Sequence, residues 1–199
     1  MLFGCESAAA EPFIGNLLFS DNRYELNHHV GTPVPLYAYI YHEYIHNFMG
    51  NQVCCPLDVN TDTLCARLAY SFAAGDCMTV VMMPSGEFIP HWGCRECLNP
   101  DKKKALLFIK NLMRFYRDEA KAYLLYGKME KAAPVECESF SFNSRYGKKI
   151  TMPTVLSTAW SLDGKRVQIF VNASEEAQTV KVMGKTITVK GLDAVMIEL

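Results

Sequence analysis

The spacing of hydrophobic residues changes along this chain. Up to about residue 120, apolar runs of strand length alternate with stretches of helical period; beyond it, short alternating runs and tight turns follow one another. Residues 1–6 read as the end of a strand that stops at the carboxylate of Glu6. Residues 8–19 read as a helix closed by the turn-forming Ser20-Asp21-Asn22. The run Val34-Pro35-Leu36-Tyr37-Ala38-Tyr39-Ile40-Tyr41, bounded by Gly31 and Pro33, is rich in β-formers. It is apolar on both alternating faces, which predicts a parallel strand buried on both sides. Leu64, Leu68, Ala69 and Phe72 then recur at helical spacing. They predict a helix over 61–74, capped by Asn60 or Thr61 and stopped at Gly75. Residues 77–83 read as a third buried strand, and 84–98 as a loop. Asn99-Pro100-Asp101 opens a further helix, with Leu106, Ile109, Leu112 (or Met113) and Tyr116 as its apolar face.

The second pattern is antiparallel. Leu162-Asp163-Gly164-Lys165 predicts a hairpin turn between strands at 155–160 and 167–171. Met183-Gly184-Lys185 predicts another, between 179–182 and 186–189. Residues 122–126, 135–142 and 193–198 add strands, and the set reads as a β-sandwich. In the first 120 residues, strand-helix alternation implies a parallel sheet with right-handed crossovers. Three such units alone leave a raw sheet edge, so the pattern fits either a barrel with earlier units or an open sheet.

Composition narrows the function. Half of the 199 residues are hydrophobic and 21% are charged, the balance of a globular chain rather than a disordered one. Twenty basic residues face twenty-one acidic ones, which gives no electrostatic case for nucleic acid or for a membrane surface. No apolar run approaches the roughly 20 residues of a membrane helix. The first residues lack the pattern of a signal peptide, and their strand-like start predicts that the chain begins partway through a larger protein. Eight cysteines are irregularly spaced. Cys65, Cys77 and Cys137 sit in apolar stretches and read as buried thiols, which favours a reducing, cytoplasmic compartment. Cys94 and Cys97 have knuckle spacing, with Cys54-Cys55 as the other pair. A second Cys-x-x-Cys is missing, so structural zinc is not expected.

In a β/α barrel the chemistry lies at the C-terminal ends of the strands. Those ends carry Glu6, then His42-Glu43, then Ser85-Gly86-Glu87. Glycoside hydrolysis needs two carboxyl groups across the scissile bond, so Glu6, Glu43 and Glu87 are the candidate catalytic residues. Each also fits a solvated loop carboxylate. Glu11, near the start of a helix, is explained by the helix dipole. His42 is assigned to hydrogen-bonding a sugar hydroxyl. Trp92, beside His91 in a glycine-bearing loop, could form an apolar platform for a sugar ring. The segment His42-Glu43-Tyr44-Ile45-His46 formally matches the zinc-hydrolase pattern. That pattern requires both histidines on one helical turn, whereas the residues before it read as a strand. His28-His29 has no third ligand at a telling distance. No phosphate-binding glycine loop or nucleophile elbow is present. No metal and no cofactor are expected. Asn172-Ala173-Ser174 matches a glycosylation sequon.

Several stretches together resemble a family of bacterial glycoside-hydrolase-like proteins. They are Gly4-Cys5-Glu6 with Glu11-Pro12, Val34-Pro35-Leu36-Tyr37 leading into Tyr41-His42-Glu43-Tyr44, Phe48-Met49-Gly50-Asn51-Gln52, Ala69-Tyr70-Ser71-Phe72 with Gly75-Asp76, Trp92-Gly93, and Tyr126-Gly127-Lys128-Met129. The resemblance runs over nearly the whole chain and implies a large β/α barrel carrying a C-terminal β-sandwich. The expected fold is therefore α/β plus all-β. Residues 1–120 would supply the last three units of a (β/α)8 TIM-type barrel, incomplete in this chain, and residues 121–199 an antiparallel β-sandwich. The expected function is hydrolysis of O-glycosidic bonds by a carboxylate pair, with His42, Asn51, His91 and Trp92 binding sugar. The partner would be an oligosaccharide, polysaccharide or glycoside, with self-association to cover an open barrel edge. A non-catalytic carbohydrate-binding or accessory module, or an inactive truncated product, is the rival reading. Substituting Glu6 by Gln in an intact homologue should lower turnover at least ~100-fold if Glu6 is the general acid. Steady-state hydrolysis at a near-normal rate would remove it from that role.

Overall fold

The computed structural model describes residues 4–5, 14, 16–22, 34–49, 61–78, 84, 102–143, 147 and 149–199. Short strands β1 (Gly4–Cys5) and β2 (Phe19–Asn22) come first, then helix α1 (Leu36–Tyr41), strand β3 (His46–Met49) and helix α2 (Thr61–Ala73). Helix α3 (Lys102–Phe115) continues through a π-helical turn (Tyr116–Ala120) into α4 (Lys121–Tyr126). The rest is strands: β4 (Lys128–Glu130), β5 (Ser139–Asn143), β6 (Lys149–Pro153), β7 (Val155–Leu162), β8 (Lys165–Asn172), β9 (Gln178–Val182), β10 (Lys185–Val189) and β11 (Asp193–Glu198).

The largest sheet has the order β11-β8-β7-β4 and is antiparallel throughout. Its central strand explains the layering. Val167, Ile169 and Val171 of β8 join a core with Trp160 of β7 and with Leu64, Leu68 and Phe72 of α2 and Phe108, Leu112 and Phe115 of α3. Phe170, on the opposite face of β8, packs with Val155, Val180, Val182 and Val189. Alternate side chains of a strand point to opposite faces, so β8 needs a cover on each side. Helices cover one side and the β9–β10 hairpin covers the other. The β5–β6 hairpin closes over α2, with Phe142 and Met152 packed on Ala66 and Tyr70.

The two predicted hairpin turns are observed. Asp163 and Gly164 (φ 50° and 75°) link β7 to β8, and Met183 and Gly184 (φ 48° and 75°) link β9 to β10. Two consecutive positive φ values match the right-handed twist of the flanking strands. Helix α2 lies within the predicted span, and Gly75 (φ 83°) follows it.

The barrel expectation is overturned. The described residues are mostly strands, with short helices and several small antiparallel sheets, and do not form the C-terminal units of a (β/α)8 TIM-type barrel or a simple two-sheet sandwich. The parallel sheet β1-β2-β3 has strands of two, four and four residues, with Phe48 adding a parallel bridge to Cys77. The predicted double-faced strand at 34–41 is instead helix α1. Tyr37 and Tyr41 stack at 5.0 Å and Ala38 and His42 are both buried, so neighbours four apart share a face. Tyr39, expected in the core, is 49% exposed. Ser20-Asp21-Asn22, expected as a turn, belongs to β2. Residues 122–126 form α4 rather than a strand, because they prolong a helix already running from α3. The π turn spaces buried Phe115 and Ala120 five apart and keeps the inward face continuous as far as Leu124. On α3 the buried stripe is Ala105, Phe108, Ile109, Leu112 and Phe115, which leaves Leu106 and Met113 exposed. Of the strand predicted at 77–83, Cys77 forms the bridge to Phe48, and residues 79–83 lie outside the described residues, as do the helix cap at Asn99 and Cys54, Cys55, Cys94 and Cys97.

Two buried amides on β8 hold the surrounding loops. Gln168 donates from Nε2 to the Ala133 carbonyl (3.0 Å) and the Ser157 hydroxyl (2.8 Å), and its Oε1 accepts from the Ala133 N–H (3.1 Å). Asn172 donates to the carbonyls of Glu176, Val189 and Lys190 at 2.8–3.2 Å and accepts from the backbone N–H and hydroxyl of Ser174. The sequon asparagine is therefore fully buried and its amide nitrogen is used within the fold. Replacing Asn172 by Ala leaves several buried backbone groups without partners. The expected cost is about 2–4 kcal/mol, readable as a lower urea midpoint with an unchanged slope.

Candidate functional site

The site starts from two glycines and a histidine. Gly127 ends α4, its N–H bonded to the Tyr123 carbonyl at 2.8 Å. A Cβ there would stand 2.4 Å from that oxygen, so the chain turns at this point only without a side chain. The turn presents the Gly127 carbonyl to His42, which follows α1. His42 Nδ1 lies 3.0 Å from that oxygen, and Nε2 lies 2.9 Å from the Leu124 carbonyl oxygen. The ring meets the Trp160 indole edge-on at 4.7 Å between centroids. Gly75 closes the far side, where a Cβ would fall 2.6 Å from Nε2. His42 is 3% exposed. Burial pushes its pKa below the usual imidazole range; the Gly127, Leu124 and Gly75 carbonyls pull it back in part, and His46 lowers it further.

Chain neighbours of the groups around this ring line an open cleft of about 440 Å³. It is lined by Glu43, Tyr126 and Lys128, by Ser161, which faces Lys128 across the β4–β7 ladder, and by the β7–β8 turn, including Asp163, Lys165 and Arg166. Tyr126 is 64% exposed, so its ring offers a face to a ligand. Ser161 is oriented by donating to Glu130 at 2.9 Å, and Arg166 by donating to the Lys131 carbonyl at 2.7 Å. An aromatic face among three cations and two carboxylates suits a polar, polyhydroxylated ligand. Two smaller cavities, of about 140 and 270 Å³, adjoin at Pro35, Ser157 and Thr158, and their walls are mainly apolar.

Of the residues named from sequence, Glu43 is exposed and stands in the cleft. His42 stands behind it, with both ring nitrogens against backbone carbonyls rather than a sugar hydroxyl. Glu6, Glu87, Asn51, His91 and Trp92 lie outside the described residues. His42 and His46 do not share a helix: one follows α1 and the other begins β3. Among the described residues, no three His, Cys, Asp or Glu side chains gather as a metal site. None of the described helices is long and apolar enough to cross a membrane. Sequence reasoning missed Tyr126, Lys128, Asp163 and Arg166 as site residues. Asp163 carried a signal as a turn residue, and Tyr126-Gly127-Lys128 as a resemblance stretch, but nothing in the sequence brought the two together. Compared with known protein-family models, with characterised proteins and with solved structures, the chain matches none.

The His42 environment fixes the sign of a pH effect. Its folded pKa lies below the unfolded value of about 6.5, so the unfolded chain takes up the proton first. The stabilisation is complete above about pH 6.5 and is lost as pH falls through the folded value. Urea unfolding of the native chain and of His42→Gln should therefore show a larger gap at about pH 7.5 than at about pH 5. A gap that widens on acidification would reverse the assignment.

Proposed function

We propose that this chain is the carbohydrate-recognising part of a glycoside-hydrolase-like protein, and that the described cleft binds sugar rather than cleaving it. The observation that carries the reading is the cleft: exposed Tyr126 lines it together with Glu43, Lys128, Asp163 and Arg166. A pyranose ring has an apolar C–H face that suits an aromatic surface, and hydroxyls that both donate and accept. Carboxylates and cations around one aromatic side chain meet both requirements. The half-buried Cys77 and Cys137 favour a cytoplasmic setting.

Hydrolysis is the second reading, and one observation favours it. Glu43 shares the cleft with another carboxylate, Asp163. Hydrolysis of an O-glycosidic bond needs such a pair, one acting as acid and the other as nucleophile or base. It also needs two different environments to separate their pKa values. Both carboxylates are exposed, and for that reason binding is the preferred reading.

Isothermal titration of the chain with cellohexaose, maltohexaose, xylohexaose and chitohexaose tests the proposal. At least one should bind with a Kd between roughly 1 mM and 1 μM, and Tyr126→Ala should weaken it about tenfold. Reducing-end release from the same sugars, lowered about 100-fold or more by Glu43→Gln, would establish the hydrolytic reading instead. A folded chain that binds none of them would count against both.

A further inference from the structure

Three pieces of chain that wall the cleft meet at one buried ring. Glu43 is the residue after His42. Tyr126 and Lys128 flank Gly127, whose carbonyl oxygen lies 3.0 Å from His42 Nδ1. Ser161 follows Trp160, whose indole contacts the imidazole edge-on at 4.7 Å. The ring has no space to retreat. Gly75, at φ 83°, lies so close that a Cβ would fall 2.6 Å from His42 Nε2 and 2.8 Å from Trp160.

The hydrogen bonding at this ring is unbalanced in its neutral form. Its partners, the carbonyls of Gly127 and Leu124, can only accept. A neutral imidazole has one N–H; it satisfies one carbonyl and turns a lone pair towards the other. An imidazolium donates to both. A proton on His42 therefore strengthens the tie between the end of α1 and the Leu124–Gly127 corner.

We infer that His42 is a positioning residue for the cleft: its ring sets the spacing between Glu43 and the Tyr126–Lys128 corner, so that proton uptake at His42 and ligand binding in the cleft are coupled. The inference rests on the carbohydrate reading of that cleft. The groups around the ring define what opposes the proton. Burial is the largest cause acting against it, and His46 on β3 acts against it electrostatically. Glu43 beside His42, Asp76 beside Gly75, and Tyr126 and Lys128 on either side of Gly127 are the ionisable chain neighbours of the groups that touch it. Coupling is reciprocal, so a ligand that prefers the more tightly tied corner must raise the His42 pKa, and acid must tighten the ligand.

The test follows the His42 ring signal of the full chain by NMR, with and without whichever of the four hexasaccharides binds. Between about pH 4 and pH 8, saturating sugar should raise the titration midpoint by about 0.5 unit, equivalent to roughly threefold tighter binding by the protonated form. His42→Gln should abolish the pH dependence of Kd over the same range while leaving a folded chain. If that variant does not fold, the wild-type titration decides alone. Sugar binding with an unmoved His42 midpoint overturns the inference and leaves the carbohydrate reading in place. Failure of a folded chain to bind any of the four sugars overturns both.

Discussion

From Val167 to Asn172, every residue of β8 is buried. A strand buried on both faces demands a layer against each, and those two layers organise the described part of the molecule. One face is wholly apolar (Val167, Ile169, Val171) and is covered by the helical layer around Trp160. The other alternates Gln168, Phe170 and Asn172. Apolar contact alone cannot cover that face, because an amide buried without partners costs about 1–3 kcal/mol. Both amides are satisfied by backbone groups of the loops that cross them. Phe170 supplies the driving force for packing the β9–β10 hairpin, while Gln168 and Asn172 determine which backbone segments lie where. Gly191 adds a steric limit at the same corner, since a Cβ there would fall 1.8 Å from the Glu175 carbonyl oxygen.

The helical face carries the same logic towards the cleft. Helix α3 is fixed along the sheet by its apolar stripe and tied to the start of β11 by polar contacts. Asn111 donates to the Leu192 carbonyl at 2.9 Å, and Arg114 donates to both oxygens of Asp193 at 2.9 and 3.1 Å. Lys104 bridges Asp62 of α2 and Glu175 of the β8–β9 loop at 2.9 and 3.2 Å. Exposed ion pairs of this kind contribute little energy, and their effect is on register. With α3 fixed, the π turn determines where α4 ends, and Gly127 determines where its last carbonyls point. The imidazole of His42 receives them. The position of the cleft wall is thus traceable to the packing of β8 through a short chain of contacts.

Turn chemistry was the most legible part of the sequence. Asp163-Gly164 and the glycine stop at Gly75 were readable because a positive φ narrows the choice of residue sharply. The helix over 61–74 was readable because its apolar residues fit one period and not the other. The segment 34–41 was not. Nearly every residue in it is apolar, so strand and helix periods fit equally, and tertiary contacts at Ala38 and His42 decided the outcome. The error propagated: one misplaced strand supplied the alternation from which a barrel followed. Residues 122–126 failed for a different reason. A short window of Ala, Tyr and Leu does not reveal that a helix is already running into it from Phe115. Within the site, Glu43 was legible as a carboxylate at the end of an element. The residues facing it were not, because the cleft forms between segments brought together by the helical and sheet layers.

The chemical character of the cleft follows from which titratable groups are buried. A catalytic carboxylate pair works by placing its members in unlike surroundings, one desolvated and one solvated. Here Glu43 and Asp163 are both in contact with water. The desolvated titratable ring associated with the cleft is His42, and it lies behind the wall rather than in it. On the proposed reading it would act on a ligand through the spacing of Glu43 from Tyr126 and Lys128, not by transferring a proton to it. Exposed groups that make hydrogen bonds, one aromatic face and a buried ring beside them are what supports the proposal of recognition. Cleavage would require a desolvated carboxyl group, and neither Glu43 nor Asp163 is held in such surroundings.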